Sequence, residues 1–306
     1  MKQTEILVVG AGPAGLTAGI YAARAGHKAL VLEKSFAGGQ MALTSEVENY
    51  PGFSEPVSGM LLAQTMEQQA VHFGCEMLNA EAAGIKSGPT GFEVATTAGP
   101  VTAATVIVCT GVKPKLLGVP GEKELIGRGV SYCAVCDGPL FKGREVAVIG
   151  GGDSALDEAL YLSNIASHVH IIHRRDEFRA CKFAQQHLRE RGNVTYHLSC
   201  VVESIDGTQR VESLTVKNLK DASTIIVPVG GAFIYVGWLP NTAWCASLLA
   251  LDESGNIKAD DRLRTTAPGV FAAGDVRNTP LRQIATAVSD GALAAMSAHN
   301  FLVGKR

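Results

Sequence analysis

Two closely spaced cysteines, Cys133 and Cys136, are the residues whose types and spacing point most directly to chemistry. A CxxC pair is typical of either a redox-active dithiol or half of a zinc site. Zinc needs two further ligands, usually a second close pair, but the other five cysteines stand singly. No histidine follows Cys136 at the spacing of a zinc finger. We therefore favour a redox dithiol and predict no metal site.

The residue directly after the pair, Asp137, is suited to the same chemistry. A carboxylic acid there can donate a proton to a departing thiolate, or take one from a thiol about to attack a disulfide. Asp137-Gly138-Pro139 is also typical of a tight turn, and both interpretations can hold together. We expect the five other cysteines to be buried small apolar side chains: Cys75, Cys109, Cys181, Cys200 and Cys245.

A redox pair needs elements that bring electrons to it. The first sign of such elements is the glycine motif GAGPAG at residues 10–15. It follows an apolar run at 6–9 and opens a helical pattern over 16–24, and a second apolar run at 29–32 ends at Glu33. This order is the complete fingerprint of a dinucleotide-binding fold. The glycines let the backbone approach a pyrophosphate, the helix N-terminus faces it, and the acid binds ribose hydroxyls.

The same pattern occurs a second time, around the motif GGGDSA at residues 150–155. An apolar run at 146–149 precedes it, a helical pattern over 156–162 follows, and the run at 169–172 predicts the next buried strand. Alanine replaces the third glycine, which the fingerprint permits. The sequence therefore predicts two dinucleotide folds in one chain.

The second fold ends differently from the first. Where the first has Glu33, the second continues His173-Arg174-Arg175 and reaches Arg179 four residues later. Guanidinium groups bind a 2′-phosphate with bidentate, charge-assisted hydrogen bonds, whereas a carboxylate repels it. The first site therefore suits a ribose with free hydroxyls and the second suits NADPH. The alternative is that these arginines form a solvated surface.

Composition sets the limits on other functions. The chain has 306 residues, about two domains' worth, and a net charge of −2 without a block of basic residues, which disfavours nucleic-acid binding. No apolar run reaches the ~18 residues of a membrane span, and the run at 6–9 is too short for a signal-peptide core. We expect a cytoplasmic α/β protein with two Rossmann-like domains. A flavin would pass electrons from the nicotinamide to the cysteine pair.

The chain resembles the low-molecular-weight bacterial thioredoxin reductases, of the class-II pyridine nucleotide-disulfide oxidoreductases, along nearly its whole length. The matching stretches are GAGPAGL, GGQM, EVENYPGF, CAVCDG, GGGDSALDEALYLSNIASHVHIIHRRDEFRA, VGWLPNT and GVFAAGDVRNTPLRQIATAVSDG. The resemblance implies FAD in the first fold, NADPH in the second, thioredoxin or a similar small dithiol protein as partner, and a homodimer. It further implies that Cys136 faces the flavin, that Cys133 attacks the thioredoxin disulfide, and that Asp137 is the acid.

The resemblance also assigns cofactor contacts. For FAD these are Gly10, Gly12, Pro13, Ala14, Gly15, Glu33, Lys34, Gly39, Gln40, Asn49, Asp275, Arg282, Gln283 and Ile284. For NADPH they are Gly150, Gly152, Asp153, Ser154, His173, Arg174, Arg175 and Arg179. Two positions depart from the family: Cys109 stands where alanine is usual, and Ile284 where alanine is common. Either can alter packing near FAD, and neither removes a functional group.

Because signals for FAD lie at both ends of the chain, the NADPH domain is expected to be an insertion. We predict an FAD-binding domain from 1–113 and 246–306, and an NADPH-binding domain at 114–245 that carries the cysteine pair. The linkers are expected over 113–121 and around 240–242. Two thin connections permit rotation, and we expect a two-state cycle in which the flavin meets the disulfide and the nicotinamide in turn.

Four rivals share parts of this pattern. Reductases of peroxide-scavenging systems carry an extra N-terminal domain, which we do not expect here because the first motif begins at Gly10. Dithiol oxidases and ferredoxin-driven relatives lack the nicotinamide fingerprint, which this chain retains. A flavin-binding redox sensor would require the cysteine pair to be idle.

Overall fold

Both glycine motifs lie between a buried strand and a helix, and each belongs to its own unit of the chain. The structure is a computed structural model that describes residues 2–44 and 46–304. The first unit is formed by the residues up to 113 and those from 239 onward, and residues 114–238 form the second. One unit is thus inserted into the other, as the sequence predicts.

The second crossing between the units lies at Trp238/Leu239, earlier than the boundary at 245/246 expected from the sequence. Residues 239–245 belong to the first unit because Asn241 is hydrogen-bonded there. Its side-chain amide donates to the Thr110 carbonyl at 2.9 Å, and the Thr110 hydroxyl donates to the Asn241 carbonyl at 2.7 Å. Cys245, moreover, is fully buried in the core of that unit.

The first unit is built on a seven-stranded sheet. Its parallel part has the order β3-β2-β1-β6-β17, and an antiparallel extension, β4-β5, pairs with the first half of β6. The strands are β1 (Lys2–Val9), β2 (Ala29–Glu33), β3 (Glu76–Asn79), β4 (Ala82–Gly88), β5 (Gly91–Thr96), β6 (Val101–Val108) and β17 (Val270–Ala272). The helices are α1 (Pro13–Arg24), α2 (Gly59–His72) and α6 (Ile284–Val303).

Both faces of this sheet are covered. Alternate residues of a strand point to opposite faces, so Ile6 and Val8 pack with the helices α1, α2 and α6, whereas Leu7 and Val9 pack on the other side. A strand buried on both faces must be apolar throughout, which is why the run before the first glycine motif carries no polar residue.

The second unit repeats this plan. Its five parallel strands have the order β11-β10-β9-β15-β8, beside an antiparallel sheet β12-β13-β14. The strands are β8 (Val130–Ser131), β9 (Glu145–Gly150), β10 (His168–His173), β11 (Val194–Leu198), β12 (Cys200–Asp206), β13 (Ser213–Asn218), β14 (Thr224–Pro228) and β15 (Gly231–Tyr235). The helices are α3 (Ala134–Asp137), α4 (Asp153–Ser163) and α5 (Lys182–Arg189).

The two crossings run as short strands, β7 (Val112–Pro114) and β16 (Trp238–Pro240), which pair as a two-stranded sheet. The duplication is regular: one offset of 140 residues relates Gly10 to Gly150 and Glu33 to His173. Among the described residues, no helix has the length and apolar character that crossing a membrane requires.

Candidate functional sites

The cysteine pair lies at the start of the one-turn helix α3 in the second unit. Cys133 is the residue that caps this helix, and its sulfur accepts a hydrogen bond from the Cys136 amide at 3.2 Å. The two residues form a disulfide, with their Cα atoms 5.3 Å apart. The predicted pairing of these two cysteines is therefore confirmed.

Asp137 is tied to the same turn through a side chain that the sequence did not single out. The Ser131 hydroxyl donates to the Asp137 carboxylate at 2.6 Å and accepts from the Cys133 amide at 3.1 Å. The Asp137 amide donates to the Cys133 carbonyl at 3.1 Å. These bonds hold the Asp137 carboxyl group within the turn that carries the disulfide.

A tyrosine supports the other side of this turn. The hydroxyl of Tyr235, at the end of β15, accepts a hydrogen bond from the Ala134 amide at 2.8 Å. Burial raises the pKa of Tyr235, and the carboxyl groups of Glu158 and Asp137 raise it further, so the phenol stays protonated. Its own proton remains available for donation.

The glycines of the first motif differ in what surrounds the position that a Cβ would occupy. A Cβ on Gly10, where φ is +104°, would lie 2.4 Å from the Cys109 carbonyl oxygen, and one on Gly15 would lie 1.8 Å from the Gly10 carbonyl oxygen. Around Gly12, by contrast, no atom lies within 4 Å of the Cβ position. Gly12 caps α1 without a side-chain bond, and Pro13 occupies the first helical turn. The amides of this helix start are free to bind an anion.

Glu33 closes this loop at the end of β2. One carboxylate oxygen accepts from the Ala11 amide at 2.9 Å, and the other accepts from the amides of Lys34 and Ser35 at 2.9 and 3.1 Å. The predicted acid therefore lies against the glycine loop. The Lys34 ammonium pairs instead with Glu81 at 3.1 Å, on the surface.

Of the other residues assigned to FAD, Gly39 lies beside this loop, and Asn49 and Gln283 lie beside each other. A Cβ on Gly39 would lie 3.4 Å from Gly12 Cα, which places the turn that contains Gly39 and the exposed Gln40 beside the motif. Asn49 and Gln283, far apart in sequence, are joined by a hydrogen bond of 3.1 Å from the Asn49 amide to the Gln283 side-chain oxygen.

The segment before α6 supplies the remaining residues. Burial raises the pKa of Asp275, and the charge of Arg282 opposes that shift. The Arg282 guanidinium donates to the side-chain oxygen of Asn256 at 3.0 Å, a contact that the sequence did not predict. Gln283 caps α6, and Ile284 is the first residue of the helix.

The glycine loop of the second unit has the same open position. No atom lies within 4 Å of a Cβ on Gly152, which caps α4 without a side-chain bond. A Cβ on Gly150 would lie 2.4 Å from the Tyr235 carbonyl oxygen. The Asp153 carboxylate accepts a hydrogen bond from the Cys181 amide at 2.7 Å, so it holds the segment that precedes α5. Ser154 is exposed.

His173 takes the place of Glu33 in the second unit. Its ring lies so close to Gly151 that a Cβ there would meet the His173 Nδ1 at 2.3 Å. The ring stacks on Phe178 at 5.3 Å between centroids, and its Nε2 lies 3.1 Å from the Glu177 carbonyl oxygen. Burial lowers the pKa of His173, and the charges of the nearby arginines add to that effect, which keeps the imidazole neutral.

The three arginines assigned to NADPH surround this end of β10. Arg174 and Arg175 are exposed directly after the strand. The Arg179 amide donates to the Gly151 carbonyl at 2.8 Å, so this residue lies beside the glycine loop. The acid within the same turn, Asp176, is occupied elsewhere: it accepts from Ser199 and pairs with Lys220 at 2.8 Å.

Sequence reasoning missed a buried acid in α6. Asp290 accepts from the Gly274 amide at 2.9 Å and forms a bidentate ion pair with Arg277 at 2.7 and 2.8 Å. One residue further, a Cβ on Gly291 would lie 2.1 Å from the Ala14 carbonyl oxygen, so α6 crosses the start of α1 at close range. The available signal was that Asp290 is the only Asp, Glu, Lys or Arg residue in the stretch 284–303.

One expectation about the single cysteines is wrong. Cys75, Cys109, Cys200 and Cys245 are buried, but Cys181 is exposed. It lies just before α5, where its amide bonds to Asp153. Burial raises the pKa of Cys75 to about 11 and that of Cys245 to about 12, so both remain thiols at neutral pH. In residues 2–44 and 46–304, no group of three or more His, Cys, Asp or Glu side chains is arranged to hold a metal ion.

Comparisons with known proteins agree with this layout. A family model described as pyridine nucleotide-disulphide oxidoreductase matches residues 4–291. The thioredoxin reductase of Listeria innocua is 45% identical over 305 residues, which cover 98% of this chain and 94% of that protein. The thioredoxin reductase of Treponema pallidum is 41% identical, with 97% of each chain covered. The crystal structure of Lactococcus lactis thioredoxin reductase (FR conformation) superposes with a TM-score of 0.96 at 41% identity, covering 98% and 99% of the two chains.

Proposed function

The chain belongs to the pyridine nucleotide-disulphide oxidoreductase family, and from this premise we propose that it is an FAD-dependent enzyme that uses NADPH to reduce the disulfide of thioredoxin. The observation that carries the proposal is the Cys133–Cys136 disulfide in the inserted unit. This pair shares its unit with a glycine loop whose closing strand, β10, is followed by two arginines. A disulfide beside a nicotinamide-type fold is the arrangement that a disulfide reductase needs.

The first unit is proposed to hold FAD. The open space at Gly12, the uncapped start of α1 and the adjacent Glu33 carboxylate fit a pyrophosphate followed by a ribose. Asn49, Asp275, Arg282 and Gln283, with the turn at Gly39, would hold the rest of the molecule. When bound, FAD accepts a hydride from NADPH and passes two electrons to a disulfide.

The second unit is proposed to hold NADPH. Gly152 and the uncapped start of α4 offer the same pyrophosphate cradle. Arg174, Arg175 and Arg179 would bind the 2′-phosphate, since guanidinium groups form bidentate bonds with phosphate oxygens. The neutral His173 ring beside Gly151 supports that surface without adding charge.

The protein's own step is thiol–disulfide exchange. After the pair has received two electrons and two protons, the Cys133 thiolate attacks one sulfur of the thioredoxin disulfide and releases the other as a thiolate. Cys136 then attacks Cys133 in the mixed disulfide, which reforms the internal bond and frees the second thioredoxin sulfur. Asp137, which accepts a hydrogen bond from Ser131, would take the proton from an attacking thiol and return it to a departing sulfur.

We further propose that the inserted unit rotates between the two half-reactions. One flavin must meet both the nicotinamide and the disulfide, and only two short connections, at 113/114 and 238/239, join the units. A verified covalent cross-link between the units should therefore abolish steady-state turnover. Full turnover of the cross-linked protein would contradict the rotation.

The experiment that tests the proposed function follows the flavin absorbance. NADPH added to the anaerobic, flavin-loaded protein should bleach the yellow absorbance of the oxidised flavin, because the flavin takes up the hydride, and oxidised thioredoxin should restore it. A Cys136→Ser variant should bleach but not recover. Recovery with oxygen or with a small disulfide, but not with thioredoxin, would favour an oxidase or a low-molecular-weight disulfide reductase.

The cellular setting is also a proposal. We propose a homodimer in the cytoplasm, supported by the near full-length identity to bacterial thioredoxin reductases. Light scattering of the purified protein tests the first point, and fractionation of the source cells tests the second.

A further inference from the structure

A carboxyl group outside the proposed reaction is fully buried in the second unit. Glu122 has no solvent exposure, and it accepts three hydrogen bonds. Its Oε1 accepts from the Leu117 amide and from the Tyr132 hydroxyl, both at 2.7 Å, and its Oε2 accepts from the Gly118 amide at 2.6 Å. Burying a carboxylate is costly unless hydrogen bonds replace its water, so these donors are required for the group to be there.

The three donors come from two functionally different segments. Leu117 and Gly118 lie just after the first crossing at 113/114, where the chain enters the second unit. This entry segment is fixed further on, because the Pro120 carbonyl accepts from the Ile205 amide at 3.0 Å. Tyr132, in contrast, directly precedes Cys133. Glu122 therefore ties the entry segment to the residue next to the redox pair.

The tyrosine remains a donor under all ordinary conditions. Burial, together with the bond to Glu122, raises the pKa of Tyr132, so the phenol keeps its proton and the bond persists. The opposite side of the pair is held separately, by Tyr235 on the Ala134 amide and by Ser131 on Asp137. The support on the Tyr132 side depends on the buried Glu122 side chain.

We propose that Glu122 is a positioning residue for the redox pair: through Tyr132 it holds the backbone at Cys133 against the entry segment. The inference rests on the proposed function in one respect, that the pair cycles between disulfide and dithiol. Holding one cysteine in place keeps the two sulfurs at a high effective concentration, which favours the disulfide. Loosening that side should shift the equilibrium towards the dithiol.

The test is a thiol–disulfide titration with dithiothreitol, which needs neither FAD nor NADPH. The reagent gives up two electrons and two thiol protons to become a cyclic disulfide, while Cys133 and Cys136 gain them as the internal bond breaks. The dithiol fraction is trapped with an alkylating agent and counted by peptide mass spectrometry. Tyr132→Phe should shift the equilibrium towards the dithiol by about fivefold, the effect of losing one ordinary hydrogen bond, and Glu122→Gln should shift it in the same direction.

The two changes should not add, because Tyr132→Phe removes the donor of one link and Glu122→Gln weakens the acceptor set of the same link. Glu122→Gln leaves at most part of the acceptor set, since a side-chain amide cannot accept from both backbone amides as two carboxylate oxygens do. The double variant is therefore expected to match the larger single effect. Tyr196→Phe is the matched control, since the Tyr196 hydroxyl is buried without a hydrogen-bond partner among the described residues, and its equilibrium should equal that of the unaltered protein.

An unchanged equilibrium in a folded Tyr132→Phe protein would overturn the proposal, as would an equal shift in the Tyr196→Phe control. If Glu122→Gln fails to fold, the tyrosine variant alone decides. Failure of the proposed function looks different: the unaltered pair would titrate normally with dithiothreitol, yet NADPH and flavin would not reduce it.

Discussion

The loops at 10–15 and 150–155 stand on the same strand–turn–helix frame, yet the residues that close them differ in charge. In the first unit the Glu33 carboxylate accepts a hydrogen bond from Ala11. At the matched place in the second unit the neutral His173 ring lies against Gly151, and two arginines follow. The difference supports the proposal that the frame binds what dinucleotides share, whereas the end of the second strand selects among them.

It also shows why the two motifs are not identical. The methyl group of Ala11 is buried in the core of the first unit, whereas Gly151 has no room for a Cβ beside the His173 ring. The third position is reversed: Gly15 lies against the Gly10 carbonyl, while its counterpart Ala155 is accommodated. Whether a motif position requires glycine therefore depends on the atoms that a Cβ there would meet.

The largest expected effect comes from placing a carboxylate in one of the two glycine loops at a time. At Gly12 and Gly152 a side chain meets open space and the backbone φ is negative, −72° and −98°, so aspartate fits and is itself a good helix cap. A carboxylate next to the negatively charged pyrophosphate costs several kcal/mol of binding free energy, so Gly12→Asp should weaken FAD binding about a hundredfold or more. Gly152→Asp should do the same to NADPH and leave the flavin in place.

Flavin content and NADPH titration of each variant measure these effects, with Gly12→Ser and Gly152→Ser as uncharged controls. If both aspartate variants lost the same cofactor, the division of cofactors between the units would be wrong.

A smaller effect is expected from exchanging the third motif residues. Gly15→Ala would force a methyl group to 1.8 Å from a carbonyl oxygen, and overpacking of this kind costs about 1–3 kcal/mol or more. Ala155→Gly removes only a methyl group from a helix and should cost about 0.5–1 kcal/mol. Urea unfolding of both variants checks the difference; equal losses would mean that the two loops are packed alike.

The last effect depends on pH and concerns the helices behind the loops. Glu158 in α4 corresponds to the fully buried Ala18 in α1. Burial, with a contribution from Asp157, raises the pKa of Glu158 from 4.5 to about 7, and one of its oxygens has no hydrogen-bond partner among the described residues. The folded state therefore holds this proton to higher pH than the unfolded state does.

Stability should accordingly fall as the pH rises from about 4.5 to about 7, and then level off. Glu158→Gln should match the unaltered protein near pH 5 and exceed its free energy of unfolding by about 1–3 kcal/mol at pH 8. Unfolding measured at both values tests this, and parallel pH profiles would rule out a raised pKa.

The duplicated frame was predictable because its signals are local. The run at 6–9, the glycine spacing and the position of Glu33 each follow from a short stretch, and the strands β1 and β2 and the helix α1 lie where the pattern predicts. The same holds for β9, β10 and α4.

The remaining features depend on partners distant in sequence. The bond between Asn49 and Gln283 joins residues that only the folded chain brings together. The second crossing was expected too late because Asn241 pairs with Thr110, which no local pattern signals. Ser131 and Tyr235 support the redox turn through side-chain hydrogen bonds, and their residue types carry no motif.

The most direct test of the account changes only the charges at the end of β10. With Arg174→Ala and Arg175→Ala combined, the apparent affinity for NADPH should fall roughly tenfold or more per lost phosphate contact, while the affinity for NADH and the bound FAD stay nearly unchanged. The ratio of kcat/KM for NADPH and NADH measures this directly. An unchanged ratio would show that these arginines are a solvated surface and that charge does not select the ligand.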